Sequence, residues 1–246
     1  KSKTKSLVVA NPSFNLRVSN SIKNLDIPES IDSSQKRSAE FQFNNWNELP
    51  GTSKEGRKIA QLVNAELLMQ DKATALAVQK KDSPKIIHIA SHAYYMPNEK
   101  KEDNPLLRSG IVLAGANKPY ENPNDDGYLL ALEVSKLNWQ NTEMAIISGC
   151  ESGKGDIESG EGVYGLKRAI SVAGARSSLL SLWKVNDKAT AAFMESFYRK
   201  LVNKEPRTSA LASTQKEFRN HPIKAWRHPN VWAAFQLSGD WRPIDF

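Results

Sequence analysis

The chain has 246 residues, of which 39% are hydrophobic and 25% are charged, and this balance excludes a protein that is disordered throughout. Mean hydropathy is −0.53, and no apolar stretch approaches the roughly 18 residues of a membrane helix, so we expect no membrane partner. The formal net charge is +7, but the basic residues are dispersed and no nucleic-acid-binding motif accompanies them. We therefore expect no specific nucleic acid partner.

The chain contains one cysteine, Cys150, so it has no internal disulfide framework. A free thiol is typical of a reducing compartment, and we expect a cytoplasmic protein. The first residue is Lys1 and no signal-peptide pattern follows it. These features favour a piece of a longer protein.

The N-terminal third begins with a short apolar run at residues 6–10 that predicts a buried strand, and Asn11-Pro12 then predicts a turn. Residues 13–50 are polar and show no sustained period, which indicates a variable surface excursion to which we assign no role. Ser53 is a candidate N-cap for a helix that runs to about Met69. A second, short helix is predicted at residues 74–79.

The middle of the chain contains two strongly apolar runs. Residues 85–90 (KIIHIA) are β-branched and apolar on both faces, which is typical of a central strand in a covered sheet. Residues 110–114 and 127–130 predict a hairpin beside that strand, followed by a short helix at 131–137. Residues 144–148 predict another buried strand.

The C-terminal part predicts helices at residues 162–173, 187–202 and 208–219, and strands at 176–183 and 231–237. Strands and helices therefore alternate along the chain. This alternation predicts an α/β three-layer sandwich with a mostly parallel central sheet flanked by helices. No internal repeat or change of composition divides the chain, so residues 1–246 are predicted to form a single domain.

Two of the predicted strands end in side chains that could react. The strand at 85–90 leads into Ser91-His92-Ala93, and the strand at 144–148 leads into Gly149-Cys150. Ligands and catalytic groups collect at the carboxyl ends of parallel strands, so neighbouring strands would bring an imidazole and a thiol together for nucleophilic catalysis. The alternative is that Cys150 is a small buried side chain at a strand end. His88 lies in mid-strand and is predicted to pack in the core.

Metal and phosphate sites are not predicted. His88 and His92 lie far apart along a strand, and no third ligand is near them. The glycine-rich residues 152–165 do not have the order of a phosphate-binding loop, and Asp156, Glu158 and Glu161 would repel a polyphosphate. We expect no cofactor.

Five segments carry a resemblance to a known family: HIASHA (88–93), AIISGCESGKGD (145–156), GEGVYGLKRAISVAGARS (160–177), SLWKVNDKATAAFMESFYRKL (181–201) and HPNVWAAFQLSGD (228–240). In this order they resemble the CHAT domain, a caspase-like cysteine peptidase family often found after tetratricopeptide repeats. The chain resembles that family over nearly its whole length. The resemblance implies the caspase-like fold.

The resemblance also implies catalytic roles. The family's catalytic histidine corresponds to His92 and its nucleophile to Cys150, with backbone amides of Ala93, Gly149 and Cys150 forming the oxyanion hole. The family commonly has glycine where this chain has Ala93, and alanine where it has Gly149. Both replacements are small, so the same class of chemistry is expected.

The implied activity is that of a cysteine endopeptidase acting on a protein or peptide substrate. Asp187 matches the position at which the related separases carry the acid that accepts arginine, so cleavage after arginine is expected. The alternative is that Asp187 only stabilises the start of the helix at 187–202. Asp126 and Glu161 are the other candidates for the acidic pocket.

Regulation is expected to come from outside this chain. The predicted cleft loops at 94–104, 117–126 and 151–161 are rich in Gly, Asn and charge, and such loops order poorly without contacts. The isolated domain is therefore expected to be a weak enzyme that upstream N-terminal repeats or an activating partner switch on, in a bacterial cytoplasm. The alternative function is a catalytically idle module that binds a partner.

Overall fold

The structure, a computed structural model, describes residues 4–16, 45–95, 104–122, 124–149 and 161–246, with side chains in the last range from residue 164. Cys150, the Glu161 side chain and most of the predicted loops 94–104 and 151–161 lie outside the described residues.

Within these ranges, strands and helices alternate as predicted. The strands are β1 (Leu7–Pro12), β2 (Glu66–Gln70), β3 (Ile86–Ala90), β4 (Ala93–Tyr95), β5 (Ser109–Val112), β6 (Tyr128–Leu130), β7 (Met144–Ile147), β8 (Ser177–Ser181) and β9 (Phe235–Gly239). The α-helices are α1 (Pro50–Leu62), α2 (Ala75–Gln79), α3 (Ala131–Val134), α4 (Glu161–Ala173), α5 (Asp187–Val202), α6 (Arg207–Arg219) and α7 (Pro229–Trp232).

The main sheet has six strands in the order β2-β1-β3-β7-β8-β9. Neighbouring strands pair in parallel from β2 to β8, and only β9 runs antiparallel, against β8. β1, β3 and β7 are buried on both faces, as expected for parallel strands that helices cover. The predicted α/β class with a mostly parallel sheet is confirmed.

Helices cover both faces of this sheet and complete three layers. On one face Val9 and Ile89 pack in the same core cluster as Leu166 and Ile170 of α4. On the other face Val8 packs in a cluster with Ile59 of α1 and with Phe193 and Phe197 of α5. Alternate residues of each strand thus enter opposite cores, which fixes the register of the strands.

The predicted hairpin forms, but in a different place. β5 and β6 pair antiparallel, and β4 joins them in a separate three-stranded sheet with the order β4-β5-β6. β4 begins directly after His92 and pairs with β5, so the hairpin continues from the end of β3 rather than lying beside it in the main sheet. The Ser91 hydroxyl donates to the carbonyl of Val112 and joins the two sheets at this point.

The predicted helix at 53–69 is too long, and its C-terminal part is a strand. α1 begins at Pro50, a residue favoured in the first turn because it lacks an N–H. It ends at Leu62, and Asn64 has a positive φ of 48°. Glu66–Gln70 then pairs with β1 at the edge of the sheet, and these backbone hydrogen bonds outweigh the helical spacing of the apolar side chains.

The predicted strand at 231–237 begins later, at Phe235. Pro229 starts the short helix α7, and the His228 side chain accepts a hydrogen bond from the Asn230 N–H at its first turn. The apolar residues Val231 and Trp232 therefore belong to a helix that packs on the core of the α5 face. As at Pro50 of α1, a proline marks the start of the helix, and the apolar run alone did not indicate this helix.

Candidate active site

His92 is held at the junction of the two sheets. It follows β3 and Ser91, and its side chain is almost entirely buried, with 3% exposure. Its carbonyl accepts a hydrogen bond from the Val112 N–H at 2.8 Å. The backbone on both sides of the histidine is therefore tied to β5, which makes His92 a rigid strand-end residue as predicted.

The imidazole of His92 is oriented by a backbone carbonyl. Nε2 lies 2.8 Å from the carbonyl oxygen of Asn47. A carbonyl oxygen only accepts hydrogen bonds, so Nε2 carries the proton and, in the neutral ring, Nδ1 is the basic nitrogen. The rings of Phe14 and Trp46 pack on the imidazole with centroid separations of 5.2 Å each, which holds the ring in this orientation.

The segment that carries this carbonyl is itself anchored. The Trp46 N–H donates to Asn117 Oδ1 at 2.8 Å, and Asn117 Nδ2 donates to the Trp46 carbonyl at 3.1 Å. The indole N–H of Trp46 donates to the Tyr128 hydroxyl at 3.0 Å, and that hydroxyl donates to the Ala116 carbonyl at 3.1 Å. The loops of the second sheet therefore position the group that orients His92.

No role was predicted for residues 13–50, and the structure assigns one to Trp46 and Asn47. The aromatic side chains of Phe14 and Trp46 in this polar stretch were the signal that parts of it pack against the core. The sequence did not indicate a role for Asn47, because Asn47 contacts His92 through its main-chain carbonyl and its side chain is exposed.

The end of β7 packs directly against the backbone that precedes the histidine. The Ser148 N–H donates to the Ile89 carbonyl at 3.1 Å. At Gly149, a Cβ atom would lie 1.8 Å from the Ser91 carbonyl oxygen and 3.5 Å from the His92 nitrogen. This position has no space for a side chain, so glycine in place of the family's usual alanine is required by the packing here.

Ala93 presents its N–H away from the second sheet. The Val112 N–H bonds to the His92 carbonyl, and Ala93 lies opposite Ile111 at the next register position. Hydrogen-bonded and non-hydrogen-bonded pairs alternate in an antiparallel ladder, so Ala93 and Ile111 form a non-hydrogen-bonded pair. The Ala93 amide is thus not used by β5, as a backbone oxyanion donor requires.

His88 is a core residue, as predicted. Its side chain is fully buried, with Nε2 3.0 Å from Glu55 Oε1 and Nδ1 3.2 Å from the Tyr198 hydroxyl. Burial, and secondarily the charge of Glu55, raises the pKa of Tyr198 well above its ordinary value. This network joins α1, β3 and α5 beneath the site and has no opening towards a substrate.

Asp187 is the first residue of α5, but the helix is capped by its neighbour. The Asn186 side chain accepts hydrogen bonds from the N–H groups of Lys188 and Ala189. Asp187 lines a groove of about 780 Å³ between α1 and α5. A Cβ at Gly51 would lie 2.4 Å from the Asp187 Cβ, so the first turns of α1 and α5 are in close contact at these two residues.

Asp126 lies in a different place, in the loop before β6. Its Oδ1 accepts a hydrogen bond from the Tyr128 N–H at 3.0 Å. Burial raises the pKa of Asp126 to about 6, with Glu133 and Asp125 adding to the shift and the Tyr128 N–H opposing it. The third acidic candidate, Glu161, begins α4, and its side chain lies outside the described residues.

In the described part of the chain, no three His, Cys, Asp or Glu residues are grouped closely enough to hold a metal ion. In the same residues no helix is long and apolar enough to cross a membrane. The glycine-rich segment at 152–165 lies mostly outside them.

The layered α/β fold, with a buried histidine after the end of a parallel strand, agrees with the fold expected from the sequence. The family model named CHAT domain matches residues 1–240, so the chain belongs to the CHAT domain family. It is similar to the human protein "Tetratricopeptide repeat protein 28", with 25% identity over 218 residues, and to the mouse protein of the same name, with 24% identity over 222 residues. Each match covers 79% of this chain but only 8% and 9% of those proteins, respectively. The chain therefore corresponds to a small part of its curated relatives.

Proposed function

We propose that this domain is a cysteine endopeptidase in which Cys150 is the nucleophile and His92 is its general base and acid. The packing of Gly149 on the Ser91 carbonyl supports the proposal most strongly, because Cys150 is the next residue in the chain. The orientation of His92 supports it independently, since Asn47 binds Nε2 and leaves Nδ1 as the basic nitrogen.

In the proposed mechanism, Nδ1 of His92 accepts the proton of the Cys150 thiol, and the thiolate attacks the carbonyl carbon of the scissile peptide. The Asn47 carbonyl stabilises the resulting imidazolium through Nε2–H. Backbone amides of Ala93, Gly149 and Cys150 stabilise the oxyanion, each contributing about 3–4 kcal/mol. His92 then protonates the leaving amine, and water activated by the same ring hydrolyses the thioester and regenerates the thiol.

Labelling of Cys150 with iodoacetamide at neutral pH, followed by mass spectrometry, tests the dyad. A thiolate activated by His92 reacts faster than an ordinary thiol, so His92→Ala slows labelling, whereas the exposed-histidine control His228→Ala leaves it unchanged. Cleavage of a peptide library is abolished by Cys150→Ala. Equal labelling of wild type and His92→Ala, with no cleavage, would favour the second function, a catalytically idle module that binds a partner.

We further propose that Asp187 accepts an arginine side chain at the residue before the scissile bond. Asn186 supplies the helix cap, so the Asp187 carboxylate is not required for that task. A charge-assisted contact to a guanidinium is worth about 1.5–3 kcal/mol. Lysines share the groove and oppose an incoming cation, so we expect a preference of about 10-fold over a neutral residue, at the lower end of that range.

Cleavage rates of peptides that differ only in arginine, glutamine or aspartate at that residue test this pocket. Wild type prefers arginine, and Asp187→Asn, which keeps the shape and removes the charge, loses the preference. A preference that persists in Asp187→Asn would assign the pocket to Asp126 or Glu161. A preference for aspartate in wild type contradicts the acidic pocket.

The context proposed for this activity is a longer, cytoplasmic protein of bacterial origin with residues 1–246 as one peptidase domain. The curated relatives are named for tetratricopeptide repeats, which supports regulatory repeats upstream of this domain as the source of activation. Comparing kcat/KM for this domain with that of the intact protein and its trigger tests the idea. Equal activity of the two would contradict it.

A further inference from the structure

The groove between α1 and α5, which contains Asp187, is also lined by lysines that the proposed catalysis does not use. Among the described residues, the groove is lined by four lysines and two acids. The lysines are Lys54 and Lys58 of α1, Lys184 of the segment before α5 and Lys188 in the first turn of α5, and the acids are Asp187 and Glu195. Glu195 is bound by Arg199 at 2.7 Å, and Lys58 approaches it only to 3.9 Å. The groove therefore has excess positive charge.

The floor of the same groove is apolar. Val185, Ala191, Ala192 and Trp226 line it between the lysines. Trp226 stacks on Phe218 with a centroid separation of 5.9 Å and an angle of 6° between the rings, so the indole is a fixed platform. A cationic rim around an apolar floor fits an amphipathic ligand.

From this charge complementarity we propose that the groove binds an acidic polypeptide segment that places an apolar side chain on the floor and carboxylates at the lysine rim. Opposite charge at the rim steers such a segment and fixes its register, and burial of an apolar side chain adds affinity. The inference does not depend on whether Cys150 is catalytic, but Asp187 lies in the same groove, so a bound acidic segment would compete with the arginine-bearing substrate proposed above.

A nucleic acid fits the groove less well than a peptide does. Asp187 and Glu195 would face a chain of phosphates, and the described lining of the groove includes no arginine for bidentate contacts to phosphate. The lysines form a local cluster rather than a continuous stripe along which a backbone could run. Nucleic acid is therefore an alternative that the experiment must exclude.

The test is fluorescence anisotropy of a labelled nine-residue peptide with six glutamates and three leucines, measured against the full chain with Cys150→Ala so that the peptide is not cleaved. Lys54→Glu/Lys188→Glu removes two exposed lysines of the rim. The matched control Lys80→Glu/Lys136→Glu changes two exposed lysines outside the groove and lowers the net charge by the same amount. Ala192→Gln makes the floor polar without changing charge.

We expect the rim variant to weaken binding at least ~10-fold, the control less than ~3-fold, and Ala192→Gln a few-fold. Equal weakening by the rim and control variants would show attraction to overall charge alone and overturn the proposal. Absence of binding by wild type at about 1 mM peptide, the weak end of specific affinity, would also overturn it. Tighter binding of a nine-nucleotide thymidine oligomer that displaces the peptide would assign the groove to nucleic acid instead.

Discussion

Replacement of Gly149 by alanine gives a direct test of how closely the two strand ends must meet. The new Cβ would lie 1.8 Å from the Ser91 carbonyl oxygen, which belongs to the backbone and cannot swing away. The end of β7 must therefore move away from Ser91 by about 1.5 Å to reach a normal van der Waals separation. Such overpacking costs about 1–3 kcal/mol of stability.

The same displacement should also lower the proposed activity. A displacement of this size moves the backbone next to Cys150 relative to His92, and a 1 Å misplacement of reacting groups can cost ~10²-fold in rate. We expect Gly149→Ala to lower kcat/KM by about that factor while the protein stays folded. Alanine is the residue that the family commonly has at this position, so the expectation depends on this chain's own packing.

The assay combines peptide cleavage with a thermal melt, and Ser148→Ala is the matched control. The Ser148 hydroxyl is buried and has no hydrogen-bond partner among the described residues, so its removal should change neither rate nor stability much. Activity of Gly149→Ala within about 3-fold of wild type, with an unchanged Tm, would refute the reasoning, because a 1 Å shift is expected to cost far more than that.

Three further predictions follow from the contacts around the site. Trp46→Leu should lower kcat about 10–100-fold, because the indole holds the Asn47 carbonyl against the imidazole. The control Asn47→Ala keeps that carbonyl and should change kcat little. Equal losses of kcat in the two variants would mean that the Asn47 side chain acts instead. The pKa of Asp126 is raised by burial from 3.8 to about 6, so the folded state binds this proton more tightly. The contribution of Asp126 to stability is therefore greatest below pH 4 and falls by up to about 3 kcal/mol as the pH rises to 6 and above. Asp126→Asn should make stability depend less on pH between 4 and 7 and raise Tm at pH 7. Urea titrations at pH 4 and 7 in which the variant matches wild type would contradict this prediction. Glu55→Ala should destabilise the fold by at least about 1–3 kcal/mol in urea titrations, because it leaves buried His88 Nε2 without its partner, and an unchanged Cm would show that the pair adds nothing.

The sequence alone determined the layers of the fold. The apolar runs that became β1, β3, β7 and β8 could be recognised because parallel strands covered on both faces need continuous hydrophobic residues. The placement of His92 after one such run also followed from the sequence, since strand ends meet at one edge of a parallel sheet. These inferences depend on local residue order, which the chain displays directly.

The tertiary structure decided where locally ambiguous segments belong. Residues 66–70 continue the helical spacing of α1, yet they pair with β1 because the edge of the sheet offers a full ladder of backbone hydrogen bonds. The hairpin of β5 and β6 was recognisable, but its attachment to β4 was not. Residues such as 66–70 can extend a helix or join a sheet, and which of the two is more stable depends on tertiary contacts that the local sequence does not show.

The orientation of the His92 imidazole shows the same division most clearly. Sequence order identified His92, but its proton is placed by the carbonyl of Asn47, 45 residues earlier in the chain. Every residue has a main-chain carbonyl, so the residue type at position 47 does not indicate this contact. The Trp46 anchor that holds the carbonyl depends on Asn117 and Tyr128 from the second sheet. A main-chain contact depends on the path of the backbone in the folded protein, whereas the chemical type of each side chain can be read from the sequence.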